Sequence, residues 1–224
     1  MTPSEPANRD DLAQRLRRGA RQLDLPIDDG QVEQLLAYLA HLHRWNGVHS
    51  LSAWKTQADF LIHHVFDSMT LIGPLTRFVD DRLLRILDAG SGPGFPASVL
   101  ASMRPAWSVT AVDAVAKKVA FIRQAATEAG ITNLIGLHAR LEDLVPLRPY
   151  DIVVSRAFGS LDTFAAQTHR LLAPEGVWVA QKGRLPNEEI KALRVDFQVF
   201  HVEPVTVPDL DIERHLVWMR RAKA

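Results

Sequence analysis

The sequence predicts an α/β chain: a doubly wound, mostly parallel sheet of about seven strands, preceded by a cap of helices. Three observations carry this. Up to about residue 78, apolar residues recur at three-to-four spacing. From Leu83 onward, short runs rich in β-branched residues alternate with amphipathic stretches. The last two runs are joined by a segment with no room for a long helix. The expected organisation is a helical cap over residues 1–78 and a sheet unit over residues 79–224 that folds as one compact body.

The opening residues, with Pro3 and Pro6, read as frayed, and a basic helix follows from about Asp10 to Leu23. Val32, Leu35, Leu36, Leu39 and Leu42 form one apolar stripe, and Leu61, Val65, Met69 and Ile72 a second. Each stripe belongs to a helix with one face on a core. Trp45 and Trp54 read as packing residues of the core or cap. The strands are expected at Leu83–Leu87, Val109–Val112, Leu134–Leu137, Ile152–Val154, Val177–Ala180, Phe197–Val202 and Leu216–Met219. The loop from Glu203 to His215 holds Pro204 and Pro208, so the last two strands form an antiparallel hairpin.

Composition narrows the function. The 224 residues hold 26 basic and 26 acidic side chains, so any nucleic-acid contact must use local patches rather than bulk charge. There is no cysteine, which excludes disulfides, thiolate metal sites and cysteine nucleophiles together. No apolar run approaches the roughly 18 residues of a membrane span, and residues 1–11 lack the apolar core of a leader. The expectation is a soluble cytoplasmic protein with no membrane partner. His63 and His64 are neighbours on a helix and point about 100° apart, so they do not share a metal ion, and no metal site is expected. His64 and Asp67, three residues apart, are expected to pair and fix the cap against the sheet.

The stretch ILDAGSGPGFPA, residues 86–97, follows the first strand. In a doubly wound fold a ligand sits at such strand ends, where the strand order reverses. Gly90 and Gly92 fit a dinucleotide fingerprint, but the third glycine, Gly94, comes one residue early and Phe95 takes its place. Pro96 suits a first helical turn. Asp88 would oppose a pyrophosphate and suits a cationic group instead, such as an ammonium. A purely structural turn that uses glycine for positive φ is the alternative. Asp113 ends the second strand about 20 residues further on, where a carboxylate accepts from ribose hydroxyls. This indicates adenosine without choosing the cofactor. Glu142 and its backbone, after the third strand, face either the adenine edge or solvent at a helix start.

These residues belong to a wider pattern: HHVFDS at 63–68, LDAGSGPGFPA at 87–97, VDAVAKKVAFIRQ at 112–124, ARLEDL at 139–144, VSRAFGSL at 154–161, QKGRLPNEEI at 181–190 and ERHLVWM at 213–219. In this order they resemble the glucose-inhibited division protein B family, the bacterial 16S ribosomal RNA guanine-N7 methyltransferases. The resemblance implies a Rossmann-like class I methyltransferase fold, S-adenosyl-L-methionine as cofactor, and 16S ribosomal RNA or the small ribosomal subunit as partner. It places cofactor contacts on Gly90, Phe95, Leu141, Glu142 and Arg156, with Asp113 at the ribose; Gly92 and Gly94 complete the expected cofactor-binding turn. Nothing in the sequence demands more than a monomer. Ala97 and His63 depart from the commoner family residues.

Guanine N7 carries an in-plane lone pair and no proton, so methyl transfer to it needs orientation and no general base. No catalytic acid–base residue is therefore expected. Phe158 is a candidate for stacking on the guanine. Basic residues cluster at Arg15, Arg17, Arg18 and Arg21, at Lys117, Lys118 and Arg123, and at Arg214, Arg220, Arg221 and Lys223. Each cluster is either a phosphate contact or a solvated face. Arg123 and Lys182 are the named substrate-side candidates. Three readings compete: a methyltransferase for a small molecule or protein, a non-catalytic cofactor-binding regulator, and a dinucleotide oxidoreductase, which the early third glycine opposes.

Overall fold

In the computed structural model of the protein, residues 8–79, 83–156 and 158–222 are described. The expectations for Pro3, Pro6 and Lys223 lie outside them. Helices α1 (Arg9–Gln22) and α2 (Asp29–His49) open the chain. Each start is capped: Asn8 accepts from the Asp10 N–H, and Asp28 and Gln31 form a reciprocal capping box. A short α3 (Gln57–Phe60) runs into a π-helical turn (Leu61–Phe66) and then α4 (Asp67–Met69) and α5 (Ile72–Val79). Both expected apolar stripes are buried along their whole length.

The seven strands are β1 (Arg85–Ala89), β2 (Ser108–Asp113), β3 (Leu134–His138), β4 (Tyr150–Arg156), β5 (Leu172–Lys182), β6 (Phe197–Pro204) and β7 (His215–Arg221). Their order is β3-β2-β1-β4-β5-β7-β6. The first five are parallel, while β7 pairs antiparallel with both β5 and β6. The final hairpin therefore forms as expected, with β7 inserted between β5 and β6. The chain moves from β1 outward to β3, then returns to the other side of β1 for β4. That reversal opens a crevice at the carboxyl ends of β1 and β4.

Side chains alternate cleanly between two cores. Ile86, Ile152, Val154, Val179 and Trp218 join the core beneath α1 to α5, with α6 (Ala97–Met103) and α7 (Ala116–Glu128). Leu87, Val153, Trp178 and Val217 join the opposite core with α8 (Leu161–Thr168). Burying each large apolar side chain contributes about 1.5–3 kcal/mol before the ordering entropy is counted. Trp45 packs partly buried against the first core, as expected, but Trp54 is 41% exposed. The difference is local: Trp54 lies in the turn after α2, beyond the packed face.

The cap is joined to the sheet by one buried carboxylate. Asp67, 1% exposed, accepts from Arg156 Nη1 at 3.1 Å, Arg214 Nε at 2.7 Å and Gln181 Nε2 at 3.0 Å. These partners come from the end of β4, the segment before β7, and β5. His64 does not bond Asp67 as expected. Arg156 bridges the two, its Nη2 meeting His64 Nδ1 at 3.0 Å. A guanidinium has no acceptor, so Nδ1 accepts, and His64 Nε2–H donates to Ser52 Oγ at 2.8 Å. Burial, with Arg156 beside it, holds the His64 pKa down at about 3.

Two outcomes follow from this junction. Asp67→Asn leaves two guanidinium groups without their shared anion and costs about 3 kcal/mol of stability, measured from urea unfolding midpoints. Below about pH 6.5 the unfolded chain takes up a proton that folded His64 refuses, so stability falls as pH drops through that window toward about 3. His64→Gln removes this part of the acid sensitivity, which comparison of midpoints near pH 7 and about pH 5 measures.

Candidate active site

The glycine turn occupies the crevice at the end of β1. Gly90, Gly92 and Gly94 all have positive φ, at 69°, 58° and 84°. Such a succession turns the chain tightly and keeps side chains away from whatever lies above it. The Phe95–Pro96 peptide is cis, and Pro96 stands at the N-cap position of α6 rather than inside its first turn.

A cavity of about 310 Å³ adjoins the turn, lined by Gly90, Val112, Asp113, Leu141, Glu142 and Phe158 among others. Four of the expected cofactor residues, Gly90, Asp113, Leu141 and Glu142, thus share one space. Asp113, at the end of β2, anchors it. Its Oδ2 accepts from the Gly92 N–H at 3.0 Å and its Oδ1 from the Val115 N–H at 2.9 Å. Lys118 Nζ lies 3.3 Å from Oδ2. A carboxylate has about four lone-pair positions, so acceptor capacity remains for ligand hydroxyls. Glu142 sits in a 3-10 turn, Leu141–Asp143, and is exposed at the rim.

Phe158 covers the turn from the β4 side. A Cβ on Gly90 would stand 3.0 Å from its ring, so only glycine leaves that approach open. Its ring centroid is 5.8 Å from that of Phe164 on α8. Ala139, which opens the ARLEDL segment, also lines the cavity, and so does Gln167, which falls in no motif and had no sequence signal.

Asp88 lies beneath the turn, fully buried, with Oδ2 accepting from the Ala97 N–H at 3.0 Å and Oδ1 unpartnered. Burial pushes its carboxyl up to about 7, against the pull of the Ala97 N–H and Arg156 and with a further push from Asp113. A cation above the turn would favour its ionised form, which fits the expected ammonium. The expected direct approach differs, because Asp88 points into the fold and does not line the cavity.

Gly94 and Phe95 face the cap. Tyr38 of α2 donates its hydroxyl to the Pro93 carbonyl at 3.0 Å, and its ring meets Phe95 edge-on at 5.5 Å. Phe95 also stacks on His64, with ring centroids 4.8 Å apart. Arg156 is likewise away from the cavity lining, committed to the His63 carbonyl at 2.8 Å, to Asp67 and to His64.

The basic candidates are mostly engaged. Lys182 Nζ donates to the Gly159 carbonyl at 2.7 Å and pairs with Glu189 at 2.8 Å. Arg123 Nε donates to the Gly136 carbonyl at 2.9 Å. Arg15 and Arg18 pair with Asp209, and Arg17 with Asp29, so these side chains of the first cluster brace α1 instead of waiting for an anion. Arg221 donates to the carbonyls of His169, Leu172 and Ala173. Among the described residues no group of acidic and histidine side chains could hold a metal ion, and no helix is long and apolar enough to cross a membrane.

The turn distinguishes its glycines. Gly94→Ala places a Cβ 2.2 Å from Tyr38 Oη at positive φ, whereas nothing lies within 4 Å of a Cβ on Gly92. The first substitution should cost at least about 3 kcal/mol and the second about 1 kcal/mol, compared by urea unfolding without ligand.

Known proteins share this architecture. The SAM-dependent methyltransferase from Thiobacillus denitrificans in complex with S-adenosyl-L-homocysteine superposes with a TM-score of 0.54 at 12% identity, over 74% of this chain and 96% of that one. A SAM-dependent methyltransferase from Aquifex aeolicus gives 0.52 at 19% identity, over 72% and 92%. The ribosomal RNA small subunit methyltransferase G of Leptothrix cholodnii is 47% identical over 205 residues, covering 92% of this chain and 94% of the relative. That of Bordetella avium is 43% identical over 212 residues, covering 94% of each. The GidB family, rRNA small subunit methyltransferase G, matches residues 31–217. With that match running from α2 through the glycine turn and into β7, the chain belongs to the GidB family.

Proposed function

We propose that the chain transfers a methyl group from S-adenosyl-L-methionine to N7 of a specific guanine in 16S ribosomal RNA. The observation that carries this is Asp113. It holds the glycine turn through Gly92 and still faces the cavity beside Gly90, within a chain of the GidB family. When bound, the cofactor supplies an electrophilic methyl on a sulfonium.

The residues present suit that ligand. Asp113 would accept from the ribose hydroxyls, and Val112 and Leu141 would offer apolar surface to a flat base. Glu142 would meet the base edge. Gly90 would permit close approach of the amino-acid portion, and Phe158 would close the side toward the acceptor. The ionised form of Asp88 beneath the turn favours a cation there.

The acceptor nitrogen needs no deprotonation, so the chain's task is alignment, which in favourable systems is worth about 7–11 kcal/mol. Arg156 contributes by locking the end of β4 to the cap. Lys182 contributes on the substrate side by holding the Gly159 carbonyl, and with it the loop that carries Phe158. Arg123 braces the β3 edge at Gly136 and stands as a substrate-side cation. In this reading a monomer acts in the cytoplasm on 16S RNA or the small subunit.

Two measurements test it. S-adenosyl-L-homocysteine should raise the melting temperature of the wild type, NAD should not, and Asp113→Ala should weaken binding of the homocysteine by at least about tenfold in titration calorimetry. Incubation with labelled cofactor and small-subunit RNA lacking the modification should yield 7-methylguanine at one position by nuclease mapping and mass spectrometry. Cofactor binding without transfer to any RNA rejects the proposal.

A further inference from the structure

Of the five tryptophans, Trp107, Trp178 and Trp218 are buried and Trp45 packs against the core. Trp54 differs: it is 41% exposed and belongs to neither core. Its indole lies flat on the imidazole of His63, with ring centroids 3.5 Å apart and planes within 2°. One indole face is thereby covered, and the exposure left belongs to the other face and the edges.

Both residues are anchored through their backbones. The Trp54 carbonyl accepts from Asn46 Nδ2 at 2.7 Å and its N–H donates to Ser52 Oγ at 3.2 Å. Ser52 is itself fixed, its N–H donating to Asn46 Oδ1 at 2.7 Å. His63 lies in the π-helical turn, and its carbonyl accepts from Arg156 at 2.8 Å. Arg156 ends β4, two positions before Phe158 of the cavity lining. The aromatic pair therefore stands at the same end of the sheet as the candidate active site.

Cations border it. Arg214 binds Asp67 through Nε at 2.7 Å, and its two terminal nitrogens have no hydrogen-bond partner among the described residues. Its Nη1 stands 3.6 Å from where a Cβ on Gly183 would be, so it lies along the ends of β5 and β7. Lys55 follows Trp54 directly and is exposed. A rigid, open aromatic face bordered by cations matches a nucleobase and its phosphate. Base stacking of this kind tolerates any sequence, because every base has a π face.

We propose that the Trp54–His63 pair is a stacking platform for an unpaired nucleobase next to the methylated guanine, with Arg214 on the phosphate of that nucleotide. This rests on the RNA-methyltransferase reading above. The platform holds the RNA loop in place, so it acts on substrate engagement and leaves the cofactor cavity untouched.

The test compares wild type with Trp54→Leu, which keeps apolar bulk without a π face, and Trp54→Phe, which restores one. S-adenosyl-L-homocysteine affinity should be unchanged in all three. Trp54→Leu should lower kcat/KM for small-subunit RNA about tenfold, mainly through KM, and Trp54→Phe should recover most of it. An active wild type with an equally active Trp54→Leu overturns the platform and leaves the methyltransferase reading intact. A loss that Trp54→Phe does not relieve, or one accompanied by weaker homocysteine binding, also overturns it. A wild type that binds homocysteine and methylates no RNA overturns the underlying reading, and the platform with it.

Discussion

The carboxylate of Asp67 is the constraint on which the rest of the architecture turns. It is a nearly fully buried anion, and such a group is tolerated only when its charge and lone pairs are met. Two guanidinium groups and an amide meet them, arriving from β4, β5 and the segment before β7. Each partner is thereby placed to within a hydrogen bond of one helical carboxylate. The same junction sets His64 as a neutral acceptor for Arg156 and passes its other nitrogen to Ser52. A helix that would otherwise lie on the sheet by apolar contact alone is pinned at a defined position.

A second contact ties the cap to the glycine turn itself. Tyr38 reaches from α2 to the Pro93 carbonyl, and its hydroxyl fills the space where Gly94 has no side chain. The turn is thus shaped from three sides: Tyr38 below, Asp113 through the Gly92 N–H, and Phe158 against Gly90. The three glycines have separate physical reasons. Gly90 yields to an aromatic ring, Gly94 yields to a phenol, and Gly92 serves backbone conformation alone. A ligand above this turn meets a surface prepared before it arrives, which is how a reaction that depends on alignment is served.

Charge in the site is arranged with little redundancy. Asp113 is partnered by two N–H groups and Lys118 where it faces the cavity. Asp88, beneath the turn, has its carboxyl pushed up to about 7 by burial. Many of the arginines and lysines that look like a phosphate-binding surface in the sequence are spent on internal carboxylates and carbonyls.

The sequence by itself determined the fold class, the two apolar stripes of the cap, the terminal hairpin and the position of the glycine turn. Those features depend on periodicity, β-branched runs and loop length, which are local properties of the chain. It also pointed to Gly90, Asp113 and Glu142, since each sits near a strand end that the topology brings together, while Leu141 came through the family resemblance. Only the tertiary structure decided that Asp88 points inward, that Arg156 serves the cap, that Lys182 holds Gly159, and that Trp54 stands exposed on His63. These depend on partners as far apart in sequence as Asp67 and Arg214, and a side chain's role is set by whichever distant group neutralises or covers it.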